Sequence, residues 1–251
     1  MFTEQTTLCP AHADDAMYGI TANHITPPPF TAPLKSRATR KFSWKSRERC
    51  SGTVVINING TMITLHFESK LELMVIMFLL GRGDVVEIWD QPPQVSYLKA
   101  DGNLGKHTFD FRVVLNDSSV IAIAVKPKAK AARAAFQADI ARVTQATPKS
   151  FADHVVVMSE ADFTRAQVIN ATRYFEFSKD SDLEADAVVR EVIKNLNGAT
   201  SIAEIVGQTG LAGRAYRAIV RAIFANEISP AADSVISTKT IVHPTHAGGR
   251  C

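Results

Sequence analysis

What this sequence lacks narrows it first. Its three cysteines stand at positions 9, 50 and 251 and form no Cys-x-x-Cys pair, so neither a disulfide framework nor a thiolate zinc site is expected. The seven histidines show no metal-ligand spacing. The most apolar run, residues 71–80, contains Glu72 and falls short of the roughly 20 residues of a membrane-crossing helix. The opening stretch MFTEQTTLCPAHADDAM has no basic start and no apolar core, so no secretory signal is expected and a cytoplasmic location is. No internal repeat is evident. The formal net charge is only +3, with a pI near 8.8, a slight basic excess that decides nothing alone.

What is present is an ordinary globular composition, 46% hydrophobic and 21% charged over 251 residues, enough for a buried core and one large or two small domains. The positive charge is clustered. Lys35, Arg37, Arg40, Lys41, Lys45, Arg47 and Arg49 face a single acid, Glu48, and a second group, Lys126, Lys128, Lys130 and Arg133, follows an apolar run. Such clusters suit a phosphate backbone; a solvated surface or a basic arm explains them equally.

Residues 1–48, with Pro27, Pro28 and Pro29 ahead of Phe30, lack periodicity and read as a flexible basic arm. Residues 49–172 read as one α/β domain. Asn59-Gly60 between two β-rich runs predicts a hairpin. Residues 69–80 repeat apolar side chains at helical spacing and stop at Gly81 and Gly83. Strands are predicted at 85–89, 94–98, 108–115 and 120–125, a helix at 129–143, a strand at 154–158 and a helix at 161–172. That order predicts a mixed sheet flanked by helices. Residues 173–251 differ: an amphipathic helix over 182–196, a capping box at Ser201-Ile-Ala-Glu204 opening a second, a third over 213–225, then a β-wing. This predicts a small winged-helix domain with helix-turn-helix geometry over 202–224.

Three side chains break the apolar pattern where chemistry could sit. Asp110 interrupts a strand, Lys126 ends the next, and Glu72 lies on an apolar helix face. If the two strands form a hairpin, Asp110 and Lys126 converge at one sheet end. A carboxylate there can hold Mg²⁺, which prefers oxygen ligands, and a lysine can orient the attacking water and stabilise phosphate charge. The competing readings are structural: Glu72 pairing with a core arginine or lysine, Asp110 capping a turn, Lys126 guarding a strand end. His107 reads as a hydrogen-bonded strand residue. Arg214, Arg217 and Arg221 share a helix face suited to phosphates, to an acidic partner surface or simply to solvent.

The ordered motifs Phe67-Glu-Ser-Lys-Leu-Glu72, Asp90-Gln91-Pro92 with Val95-Ser-Tyr97, His107-Thr-Phe-Asp110-Phe111 and Ala124-Val125-Lys126-Pro127 resemble the TnsA endonuclease subunit of heteromeric transposases, over about residues 45–130. That resemblance implies a restriction-endonuclease-like fold of the PD-(D/E)xK type. It implies Mg²⁺-dependent cleavage of double-stranded DNA at the 5′ ends of a transposon, with Mn²⁺ substituting. Glu72, Asp110 and Lys126 match the catalytic set. Glu72, Asp110 and the main-chain carbonyl of Val125 match the metal ligands, with Gln91 as site support. Lys128, Lys130, Arg214, Arg217 and Arg221 become candidate DNA or partner contacts. The implied partners are DNA, a TnsB-like transposase and a TnsC-like AAA ATPase, with no membrane.

The sequence departs from the family pattern twice. Phe109 stands where Pro is usual before the aspartate, and Ala124 where Glu, Asp or Gln is expected two residues before the lysine. Alanine brings no ligand. The alternatives are therefore a catalytically weakened nuclease-fold scaffold that binds DNA or a regulator ATPase, and a stand-alone restriction or repair nuclease.

Overall fold

In a computed structural model of the chain, residues 31–40 and 50–245 are described. Cys9, the proline run at 27–29, Phe30, Lys41, Lys45, Arg47, Arg49 and Cys251 lie outside the described residues.

Asn59 and Gly60 both adopt positive φ, 51° and 82°, which a two-residue hairpin turn requires and which Gly supplies without steric cost. They join β1 (Gly52–Ile58) to β2 (Thr61–Phe67) as an antiparallel pair. Next come α1 (Lys70–Leu80), β3 (Val85–Asp90), β4 (Val95–Leu98), β5 (Leu104–His107), β6 (Phe111–Leu115), β7 (Val120–Val125), α2 (Lys128–Ala131), α3 (Ala134–Ala146), β8 (His154–Met158) and α4 (Arg165–Phe177). The chain continues through α5 (Leu183–Lys194), β9 (Thr200–Ser201), α6 (Ile202–Thr209), α7 (Gly213–Phe224), β10 (Ile228–Pro230) and β11 (Ile241–Pro244). No described helix is long and apolar enough to cross a membrane.

The central sheet runs β3-β6-β7-β8, antiparallel except for the parallel β7–β8 pair. It is a mixed sheet flanked by helices. Side chains alternate across a strand, and β7 shows it. Ile123 and Val125 join Phe111, Val113 and Ile88 in a core shared with α1 (Val75, Ile76, Leu79) and the first hairpin (Ile56, Leu65, Phe67). Ala122 and Ala124 face the other way, toward α3 (Ile140, Val143) and the β4–β5 hairpin (Val95, Tyr97). A third core joins α5, α6 and α7 to Ile228, Ile236 and Val242, beside the sheet β10-β11-β9.

α4 serves two of these cores. Val168 and Phe175 pack on the first, Tyr174 and Phe177 on the third. Tyr174 stacks on Phe224 with ring centroids 4.4 Å apart, and Asn170 bonds both Ser234 O and Ile236 N. The boundary drawn at residue 172 therefore falls inside a helix.

Several elements differ from their sequence expectation. The strand expected over 108–115 begins at Phe111; Asp110 still bonds Ile123 and Gln91 through its main chain, while Thr108 and Phe109 ahead of it line a cleft. β5 was not expected: Gly105 and Lys106 give it little strand propensity, and its pairing with β4 forms it. The helix expected over 129–143 is two helices, parted at Ala132 and Arg133, where Arg133 is extended with ψ 131°. The helix expected over 161–172 starts later, at a Thr164/Gln167 capping box, while Asp162 folds back onto Ser159.

Gly81 does more than stop α1. Its φ is −75°, so the left-handed region is not the reason for glycine. A Cβ there would lie 2.8 Å from the Ala171 Cβ of α4. Gly81→Ala is expected to destabilise the chain by about 1–3 kcal/mol through overpacking, and Ala171→Gly in that background to recover part of the loss. Urea unfolding of the single and double variants checks this; an additive double variant would contradict it.

Candidate active site

The β6–β7 pairing builds the site. Phe111 pairs with Ile123, and one step further Asp110 N–H donates to Ile123 O at 2.9 Å. The Asp110 carboxylate then accepts the Val125 N–H at 2.6 Å. The hairpin expectation holds, and Asp110 and Lys126 meet at one sheet end.

Together with α1 and β3, that sheet end forms a cleft of about 550 Å³. It is lined by Glu72, Gln91, Asp110, Val125, Lys126 and Lys130, and also by Arg40, Glu68, Ser69 and Thr108. Lys128 stands outside it, exposed, its main-chain N–H donating to Glu160 at 3.0 Å.

Each side chain has a local cause. Glu72 sits in the first turn of α1, whose N-cap is Ser69. It is half-buried rather than buried, and among the described residues it pairs with no arginine or lysine. Instead its carboxylate accepts the Glu68 N–H at 2.7 Å and the Ser69 hydroxyl at 2.8 Å, while Ser69 Oγ accepts the Glu72 N–H at 3.1 Å. These bonds satisfy helix N-terminal donors. A carboxylate has about four acceptor positions, so capping leaves room for a cation.

Gln91 is buried, 4% exposed, with φ +42°, a strained value for a non-glycine residue. Its main chain holds the conformation from both sides: Gln91 N–H donates to Asp110 O at 2.9 Å, and Gln91 O accepts the Thr39 N–H at 3.0 Å.

Lys126 is half-buried and makes no ion pair among the described residues. His107 lies behind the cleft wall, edge-on to Phe109 at 4.7 Å. Its Nε2 has no hydrogen-bond partner among the described residues, so the expectation of a hydrogen-bonded histidine is corrected at that atom. Burial, aided by the Lys126 charge, holds the ring below its ordinary pKa.

The Asp110 carboxyl is pushed up to about 6. Burial is the main cause and the Glu72 charge adds to it; the Val125 N–H, Lys126 and Arg40 pull the other way. Two carboxylates and a main-chain carbonyl form an oxygen donor set that fits a hard divalent cation, and such a cation would relieve the strain on ionised Asp110. Among the described residues no three His, Cys, Asp or Glu side chains cluster closely enough to hold a metal; the fit rests on two. Ala124 is 1% exposed in the second core, so a carboxylate there would enter apolar packing.

The arginine face of α7 is a seam. Arg214 bonds Asp182 through two nitrogens at 2.8 Å each and Glu184 at 2.6 Å. These bonds hold the Asp182 carboxyl well below the usual range. Arg221 bonds Asp186 at 2.6 Å and Phe177 O at 2.9 Å. Arg217 alone of the three is exposed. Of the three readings of this face, none is selected; α5 supplies acids that pair with Arg214 and Arg221.

Arg40 stands in sequence as one member of a basic cluster, with no signal that it reaches the cleft. Only the packing of residues 33–40 carries it there. No protein-family model matches this sequence, and no curated protein matches it.

The Asp110 shift sets a pH dependence. Its folded value of about 6 exceeds the ordinary 3.8, so the folded state keeps this proton more tightly. The associated stability is fully present below about pH 4 and is lost as pH rises through 6. In metal-free buffer Asp110→Asn is expected to be more stable than the wild type at pH 8, by about 1–3 kcal/mol, with the difference closing below pH 4. Urea denaturation at the two pH values measures it; equal stability at pH 8 would contradict the assignment.

Proposed function

We propose that this chain is a Mg²⁺-dependent DNA endonuclease, the TnsA-like subunit of a heteromeric transposase, cutting 5′ transposon ends. The observation that carries this reading is the convergence of Glu72, Asp110 and Lys126, from a helix and two neighbouring strand ends, in one cleft. In this reading the sheet is restriction-endonuclease-like. The α5–α6–α7 module with its β10-β11-β9 sheet is a winged helix, available to DNA or to a TnsC-like ATPase, while end recognition falls to a TnsB-like transposase.

Asp110 and Glu72, with the Val125 carbonyl, would hold Mg²⁺ or Mn²⁺. The cation supplies Lewis acidity at the scissile phosphate when bound. Lys126 orients the attacking water and stabilises negative charge developing on the phosphate, an effect strongest in a site that excludes bulk water. Gln91 is buried beneath the cleft and fixes its floor. Lys130 and Arg40 place positive charge at the mouth, where a DNA backbone is attracted.

A second reading has its own support: the bonds from Glu68 and Ser69 to Glu72, and the burial of Ala124, suit a nuclease fold kept as a scaffold. A nicking assay with the chain, its partner transposase and ATPase, a transposon-end duplex and Mg²⁺ separates the two. Asp110→Ala is expected to abolish nicking, and Lys126→Ala to lower its rate by about 100-fold or more, both without loss of the folded state. Nicking retained by Asp110→Ala would contradict the nuclease reading. A wild-type chain that binds duplex but never nicks would establish the scaffold.

A further inference from the structure

Residues 33–40, within the stretch 1–48 read as a flexible basic arm, form a strap fastened at several points. Leu34 exchanges main-chain bonds with Met62 and Thr64 of β2, 2.8 Å each. Ser36 donates its hydroxyl to the fully buried carboxylate of Asp90. Arg37 lies over the Trp89 ring, 4.7 Å from its centroid, while the Trp89 indole N–H donates to Arg37 O. Thr39 bonds Gln91 O and Pro92 O. The strap thus runs along the Asp90-Gln91-Pro92 corner and ends at the cleft.

Its last described residue, Arg40, lines that cleft. Arg40 Nε donates to Gln91 Oε1 at 3.3 Å, and one terminal nitrogen pairs with Glu68. The other terminal nitrogen has no partner among the described residues. The side chain is 49% exposed, and its charge is felt at Asp110. Lys126 and Lys130 line the same cleft. A guanidinium held by Nε and one terminal nitrogen, on a side chain that is half exposed, is preorganised for an anion's oxygens.

Building on the nuclease reading, we infer that Arg40 binds a backbone phosphate of the DNA strand lying in the cleft. The strap is the device that delivers it, and Glu68 holds the guanidinium in place until the phosphate arrives. Arg40 is then a substrate-binding residue of the site, brought in from outside the sheet and α1 that carry the acids and lysine.

The alternative is a structural tether between the strap and α1. The two roles differ in sign for Glu68. If Arg40 only tethers, Glu68→Gln and Arg40→Gln break the same ion pair and act alike. If Arg40 binds phosphate, Arg40→Gln weakens DNA binding and Glu68→Gln strengthens it, and the gain disappears in the double variant. The test is binding of a short duplex by the full chain in Ca²⁺ over a salt series, with thermal melting to verify folding. Arg40→Gln is expected to lower affinity about 5- to 30-fold at low salt and to reduce the salt slope by about one unit. Ser36→Ala, which loosens the strap but keeps the arginine, should reproduce part of that loss. Unchanged affinity and slope in Arg40→Gln, a gain from Glu68→Gln that survives in the double variant, or a folded wild type that binds no duplex at low salt overturns the inference. Nicking that depends on Asp110 while Arg40→Gln binds normally would leave the nuclease reading standing and remove only Arg40's role.

Discussion

The hydrogen bond from the Val125 N–H to the Asp110 carboxylate, 2.6 Å long, ties the site to the sheet. It exists because β6 and β7 pair in one register, with Phe111 opposite Ile123. A slip of one residue would turn the core side chains to the wrong face, so the packing of Ile123 and Val125 against α1 also fixes where Asp110 stands. Burial there raises the cost of ionising Asp110, and Glu72 at the start of α1 adds to it. The fold thus holds an acid in a place where a positive charge would be welcome, an arrangement that costs stability and is common at functional sites.

Around that bond the remaining parts come from separate stretches of chain. α1 presents Glu72 because Ser69 caps it and Glu72 completes the cap. β3 ends at Asp90, and the positive φ of Gln91 turns the chain away while burying its side chain beneath the cleft. The strap closes the corner by covering Asp90 with the Ser36 hydroxyl and bringing Arg40 to the mouth. The C-terminal module is built by different means, with the acids of α5 satisfying Arg214 and Arg221 of α7.

The hairpin at Asn59-Gly60, α1, β7, β8 and the Ser201–Glu204 capping box were legible because each rests on a local signal: turn chemistry, periodicity or a cap. β5 was not, since its backbone is recruited by β4 rather than by its own propensity. The break at Ala132 and Arg133 was not either, because no glycine or proline marks it. Glu72, Asp110 and Lys126 stood out because they break the apolar pattern, Gln91 only through the family resemblance, and the sheet brings all four into one cleft. What stayed hidden was the partner of each: Glu72 bonds its own helix start, and two of the three α7 arginines bond α5. Arg40 was visible only as part of a charge cluster, because its place depends on contacts with residues about 30 to 50 positions away.

The proposed function depends on Asp110 and Glu72 sharing a divalent cation in the cleft. Its most direct test is a crystal structure of the chain soaked in Mn²⁺, read by anomalous scattering. The account expects a manganese peak in contact with the Asp110 carboxylate, shared with Glu72 or the Val125 carbonyl, and lost in Asp110→Asn. A fully ordered cleft with no ion at Asp110 at saturating Mn²⁺ would contradict it.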